Sequence, residues 1–571
     1  MWRVSMNTQA PVAKAEPLEI WRSDWFVATG LAVLALMLYL GMRLQVHNQV
    51  VDFTNFAAAV QREGVSDKWF YGDHLIYVFL LNWLHHALSN AFPSLDATTT
   101  AQVFNSVVAC LGVGVFYILA RRFVREQWLG VGLAITLMFS YQYWLFAADV
   151  EVHAPAALFY LLSLLLAFRI PSGARVWVYA VLGVLTATAV LFHVIVLLFV
   201  PLVVGLMIMR ANAQSADPMK GKLGKAQEIL AYCGTTAAIV IMPYWYVATR
   251  VLHLNSWREI YLWLLPNLAD TANVGATSLR SAVILLARRI PLSLIGRLMW
   301  VATPANQLMP GKECLDASRY LVRNVPTEAA LVLAGCGVLS GALLAVIGII
   351  SVPGFVRLVR NRSEFAMVLI GWVVSYAALI GVFMPGSSEH WGIYWLPGFL
   401  LIIGLGLSET TPLAPSRRRL VQGLGGAMLL FLLIGNGSNI LVQTSPGNDL
   451  YMERLKWYRG NSSPADLVIS GGDWMWTGYL DYYLRAQVVP LRKWAAQIGY
   501  SHGLQELEAL IEKTRGSGGR IFVTHDALQR DNCSEKITEE ESEMFASFRQ
   551  SMLPRLSCFQ SADTSVCEVL E

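Results

Sequence analysis

The chain has little charge for its length. Of its 571 residues only 14% are Asp, Glu, Lys or Arg, against roughly 25% in soluble domains. Hydrophobic residues make up 55%, with a mean hydropathy of +0.49. A chain of this make-up cannot cover its apolar surface in water, which excludes a soluble globular protein. The net charge is a small +4, so no basic surface for a phosphate backbone is implied and no nucleic-acid partner is expected. Cysteines are few, at 110, 233, 314, 336, 533, 558 and 567. Without paired short spacing they exclude a zinc or redox thiolate centre. Internal repeats and low-complexity tracts are lacking too. The first apolar run, 25–44, has no small-residue cleavage site, so it is read as a retained span rather than a signal peptide.

What is present is a series of long apolar runs. They fall roughly at 25–44, 101–120, 127–146, 154–168, 176–192, 194–209, 228–249, 328–350, 365–384, 392–408 and 420–442. Most are long enough to cross a hydrocarbon core of about 30 Å, and Trp and Tyr crowd near their ends. The run 74–92, HLIYVFLLNWLHHALSNAF, is apolar but carries three histidines. Basic residues decide its place. If 74–92 does not span and the N-terminus is inside, the cytoplasmic loops are RRFVRE (121–126), FRIPSGAR (168–175), 210–227, 357–362 and PSRRRL (415–420), all basic. The opposite loops at 147–153, 193 and 385–391 hold no Lys or Arg. The positive-inside rule therefore predicts about eleven spans, N-in and C-out.

The expected fold class is thus an all-α polytopic membrane protein, with residues 1–24 cytoplasmic and 25–442 a transmembrane domain. External loops run over 45–100 and 250–327, the first with two interfacial helices and the second with one candidate at 281–303. The tail, 443–571, is read as a small extracytoplasmic α/β domain. ADLVISGGDW (465–474) and RIFVTHD (520–526) read as strands and LQELEALIEKT (504–514) as an amphipathic helix. Of the tail cysteines, Cys558 and Cys567 are the nearest in sequence and the first choice for a disulfide in an oxidising compartment.

Acidic residues beside apolar spans are functional candidates, because a charge at a membrane face is costly unless it has a partner or a task. Asp52 follows the first span by about eight residues; it suits a helix N-cap or a proton acceptor equally. Asp149, Glu151 and His153 lie in AADVEVHAP, between the third and fourth spans. Two carboxylates there suit either orienting an acceptor and taking its proton or holding a divalent cation such as Mg or Mn. Arg258 and Arg319 are two candidate cations among those of the second long loop, and Glu389 and His390 sit in the last external turn, MPGSSEHWGIYWLP (384–397).

An acid soon after span one, interfacial helices before span two, a basic turn after it and an acidic pair after span three resemble the GT-C superfamily of membrane glycosyltransferases. YWLFAADVEVHAPAALFYLLSLLLAFR (143–169) and YGDHLIYVFLLNWL (71–84) are similar to segments of its protein O-mannosyltransferase-like branch. The likeness covers about the first 210 residues and hardly touches the tail. It departs in placing Val between Glu151 and His153 and Gly-Asp before His74.

The resemblance implies an inverting transfer of a monosaccharide from a polyprenyl-phosphate carrier to an acceptor (protein, lipid or glycan) at the outer face of a plasma membrane such as the bacterial inner membrane. Asp52 would be the general base and Asp149, Glu151 and His153 would serve the acceptor or a metal. His74 and Tyr71 would lie by the donor, His74 at its phosphate, with Arg258 and Arg319 offered for the leaving phosphate; the turn with Glu389 and His390 suits one wall of the donor pocket or an interfacial anchor. The rivals are a secondary transporter, which calls for inverted repeats and midplane charges, and a non-catalytic assembly protein on the same scaffold.

Overall fold

The computed structural model describes residues 18–47, 53–61, 69–171, 174–212, 218–264, 294, 327–361, 363–383, 392–409, 415–471, 474–528, 539–561 and 564–570. In chain order the helices are α1 (Leu18–Gly41), α2 (Phe53–Gln61), α3 (Tyr77–Ser89), α4 (Ala97–Phe123), α5 (Gln127–Phe139), α6 (Tyr141–Ala148), α7 (His153–Arg169), α8 (Val176–Phe192), α9 (Phe199–Asn212), α10 (Pro218–Tyr246) and α11 (Trp257–Leu264). Then come α12 (Thr327–Arg360), α13 (Glu364–Phe383), α14 (Gly392–Glu409) and α15 (Pro415–Gln443). Each expected span falls on one of these helices or on the bent pair α5–α6. Among the described residues six helices are long and apolar enough to cross a membrane, seven if the bent pair is one span, and four shorter apolar helices occupy the remaining positions. The protein is therefore a polytopic helical membrane protein.

Helix α4 is the central post. Its start is capped by Asp96, whose carboxylate accepts the Thr99 N–H at 2.6 Å. At its other end Arg121 lies 3.0 Å from Asp24 of α1, and Tyr117 donates to the same carboxylate oxygen at 2.8 Å. The helices approach closely where small residues face them. A Cβ on Gly183 of α8 would stand 2.7 Å from the Tyr232 carbonyl of α10, and one on Gly406 of α14 would run into the Ser351 carbonyl of α12.

The bend between α5 and α6, 59° at Ser140, aims the chain at the site. Bending frees backbone carbonyls that lipid cannot satisfy. Tyr39 of α1 donates to the Met138 carbonyl at 3.1 Å and Asn436 of α15 to that of Phe139 at 2.7 Å. At the end of α6, Ser106 donates to the Ala147 carbonyl at 2.9 Å and the Leu44 N–H to that of Ala148 at 3.2 Å.

The tail adds α16 (Leu450–Asn461), β1 (Leu467–Ser470), α17 (Trp474–Tyr483), β2 (Gln487–Pro490), α18 (Leu491–Ile498), α19 (Tyr500–Gly516), β3 (Ile521–Thr524), α20 (His525–Leu528), α21 (Glu539–Met552), β4 (Leu556–Ser561) and β5 (Thr564–Val569). The sheet order is β2-β1-β3-β5-β4; β1 runs parallel to β2 and β3, while β5 is antiparallel to β3 and β4. Both expected strands and the expected amphipathic helix are present. Cys558 and Cys567 face each other across β4 and β5 and form the expected disulfide; Cys533 lies outside the described residues.

Among the described residues three apolar clusters form, the smallest around Leu75, Leu191, Tyr244 and Val247. A second lies on the sheet, around Ile469, Val523, Leu507 and Phe548. The largest fills the helix bundle and continues without a break into the tail through Leu455, Tyr458, Trp476, Tyr479 and Leu480.

Candidate active site

The loop Asp149-Val150-Glu151-Val152 is buried throughout, with Asp149 fully so. Solvated acids are thereby ruled out. Asn105 of α4 holds the loop: its amide nitrogen lies 2.7 Å from the Asp149 carbonyl, 2.8 Å from that of Glu151 and 3.0 Å from the Tyr77 hydroxyl of α3. Burying two carboxylates this way demands partners, and each has an imidazole. Asp149 Oδ1 lies 2.7 Å from His47 Nδ1 and also accepts the Val150 N–H at 2.8 Å. Glu151 lies 3.1 Å from His153 Nε2, and the other ring nitrogen of His153 is 2.9 Å from the Tyr394 hydroxyl. Asp149 Oδ2 is buried and has no hydrogen-bond partner among the described residues.

A second acid–imidazole pair sits in the turn before α3. Asp73 lies 2.7 Å from His74, and its carbonyl accepts the Val194 N–H at 2.8 Å, which docks the turn on the end of α8. His193, in the turn between α8 and α9, then bridges the pairs: its ring is stacked on that of His153 at 5.0 Å and lies 6.2 Å from that of His74. Burial alone would raise the Asp73 carboxyl, but the charge and hydrogen bond of His74, with His193 behind, outweigh it and hold Asp73 well below the usual carboxylate range. Burial, followed by the neighbouring His153, pushes His193 well below its ordinary value.

Aromatic rings close this side. Tyr71 stacks on His74 at 4.9 Å, and Phe56 of α2 meets Tyr71, His74 and Tyr77 edge-on at 5.4, 4.9 and 5.5 Å. Helix α11 abuts the same turn, with Trp263 Nε1 donating to the Phe70 carbonyl at 3.2 Å. A Cβ on Gly72 would collide with the Trp263 backbone carbonyl.

Five expected residues, Tyr71, His74, Asp149, Glu151 and His153, thus belong to one buried polar network. His74 was expected within the interfacial helix and instead stands in the turn before it, since α3 starts at Tyr77. Arg258 is exposed at the start of α11, with no ion-pair partner among the described residues. Asp52, Arg319, Glu389, His390 and, apart from Leu294, the 281–303 candidate lie outside the described residues, although α2 begins one residue after Asp52 and sets Phe56 against His74. His47, Asp73, Asn105, His193 and Tyr394 were not foreseen. Asp73 alone had a usable signal, an acid adjoining a chosen histidine.

No protein-family model and no curated protein sequence matches the chain. Its architecture matches that of a solved structure. The chain is similar to ArnT from Cupriavidus metallidurans bound to undecaprenyl phosphate, with a TM-score of 0.55 and 11% identity over 97% of this chain and 98% of that one. The apo state of the same protein gives a TM-score of 0.44 and 13% identity over 96% and 98%. At such identity the likeness is one of fold, and it does not single out the O-mannosyltransferase-like branch.

Proposed function

We propose that the protein is an inverting glycosyltransferase that moves a monosaccharide from a polyprenyl-phosphate carrier to an acceptor at the extracytoplasmic face. The observation that carries this reading is the buried pair of acid–imidazole centres, Asp149–His47 and Glu151–His153, at one end of a membrane helix bundle. The solved structure of like fold holds undecaprenyl phosphate, which supports a lipid-phosphate donor. In the reaction an acceptor oxygen attacks the anomeric carbon opposite the phosphate. The carbon–oxygen bond to phosphate breaks with its electron pair leaving on the polyprenyl phosphate, and the acceptor proton passes to the carboxylate of Asp52. The open Oδ2 of Asp149 accepts a hydrogen bond from the acceptor and orients it. His74 and Tyr71 bind on the donor side, and Arg258, Arg319 and His390, with Glu389 in the same turn, surround the leaving phosphate.

A divalent cation at Asp149 and Glu151 fits this donor set poorly. Each carboxylate bonds its own imidazole, and among the described residues no group of three His, Cys, Asp or Glu converges on one point. No step is therefore routed through Mg or Mn. Transfer is expected to persist in excess chelator, and loss of turnover restored by added Mg or Mn would reverse that assignment.

The same reading keeps eleven spans with the N-terminus inside, a transmembrane unit over 25–442 and an extracytoplasmic tail over 443–571 in a bacterial inner membrane. The Cys558–Cys567 disulfide supports an oxidising location for the tail. The test is reconstitution in liposomes with a polyprenyl-phosphate monosaccharide, measuring polyprenyl phosphate formed as membrane-protein, lipid and glycan acceptors are offered in turn. Formation that requires one acceptor class identifies the acceptor. A carrier that stays fully glycosylated with every class, or sugar that crosses the bilayer uncleaved as a transporter would move it, overturns the reading.

A further inference from the structure

The tail is not only packed against the bundle; it ends a chain of buried polar groups on the site. The Tyr479 hydroxyl of α17 donates to Asp449 at 2.8 Å and accepts the backbone N–H of His47 at 3.3 Å. His47 in turn bonds Asp149 at 2.7 Å. Asp449, Tyr479 and Asp149 are fully buried and His47 nearly so. Asp449 is fixed from its other oxygen, which caps α16 by accepting the Met452 N–H at 3.0 Å. The irregular segment that carries His47 is pinned again by the Gln45 and Val46 N–H groups, which donate to the Gln443 carbonyl at 2.9 and 3.0 Å. That segment runs from the end of α1 to Asp52, five residues beyond His47.

A patch that merely glued the tail to the bundle would be cheaper to build from apolar groups, since burying an acid and a phenol costs free energy unless every polar atom is used. Here the buried polar atoms converge on the 44–47 segment, whose His47 bonds Asp149. The geometry points to Tyr479, Asp449 and His47 as positioning residues for the transfer reaction: the tail completes the active site by setting the 44–47 segment, and through His47 the Asp149 carboxylate. This rests on the function proposed above for Asp149.

The variants are Tyr479→Phe, His47→Leu, His47→Asn and the double Tyr479→Phe/His47→Leu, each in the full-length protein. Phe keeps the ring and loses only the hydroxyl; Asn places an amide near the lost Nδ1, and Leu does not. The expected result is a fall in kcat of about ten- to hundredfold for Tyr479→Phe and for His47→Leu with donor KM little changed, as for loss of a hydrogen bond to a charged group acting in the transition state. His47→Asn recovers most of the loss, and the double variant is no worse than His47→Leu. Independently of turnover, hydrogen exchange of the 44–47 backbone amides rises in Tyr479→Phe. Unchanged exchange in Tyr479→Phe overturns the inference whatever the activity. So do wild-type kcat in Tyr479→Phe beside an inactive Asp149→Asn, which leaves the site reading standing, and fully multiplicative losses in the double variant.

Discussion

At the scale of single residues, the arrangement asks each acid to do something different. Replacing Asp52 with Asn keeps its size and its capping ability but removes the proposed proton acceptor. Turnover from a polyprenyl-phosphate sugar is expected to fall by about 10² to 10⁴ while the protein still inserts; near wild-type transfer would reduce Asp52 to a helix cap. Asp73 is held ionised by His74 and His193, so its contribution to stability has a defined sign. A carboxyl depressed on folding stabilises fully above its unfolded pKa of about 3.9 and loses that contribution as pH falls through the folded value. Asp73→Asn is therefore expected to lower the melting temperature in detergent at neutral pH, with the gap to wild type closing only in strong acid. A gap that does not change with pH would show that the Asp73 charge carries none of it. Asp149 and Glu151 were legible in the chain because they interrupt apolar sequence, whereas Asp73 was passed over beside its histidine. Lone histidines such as His47 and His193, or a phenol 432 residues from its partner such as Tyr479, leave no local periodicity to detect.

Among elements, the helices were readable because lipid forces each span to be long and nearly uncharged. The bend at Ser140 was not, since the carbonyls it frees are met by Tyr39 and Asn436 from distant helices. Strands β2, β4 and β5 escaped for another reason: β2 is only Gln487–Pro490, and the β4–β5 pair is polar with a disulfide in place of a continuous apolar face. Packing between elements yields its own test at Gly72. With the Trp263 backbone in the way of any side chain there, Gly72→Ala must push α11 off the turn that carries Asp73 and His74, at an overpacking cost of about 1–3 kcal/mol. A higher donor KM and a lower melting temperature are expected together; an unchanged KM would detach α11 from the donor side.

For the whole molecule, the orientation of the chain is the first thing to measure. Cysteine labelling is expected to reach single reporters placed after residue 443 from outside intact cells, whereas reporters at Arg417, Arg418 and Arg419 stay protected until the membrane is opened. Labelling of the tail only after permeabilisation would invert the map and move the acid–imidazole centres to the cytoplasmic side. The map rests on the basic loops, because positive charge resists translocation. The junction of tail and bundle was not legible, because one apolar core is shared by segments far apart in sequence.

The bond between Tyr479 and the His47 amide also sets an order in time. Ribosomes release the N-terminal partner early and the C-terminal one last, so a nascent chain can insert its helices, bury Asp149 and still lack the final acceptor for His47 until Tyr479 has been made and docked. If the proposed transfer reaction is right, truncated or stalled products would fill the membrane without drawing on the donor pool, and completion of synthesis would coincide with the onset of activity.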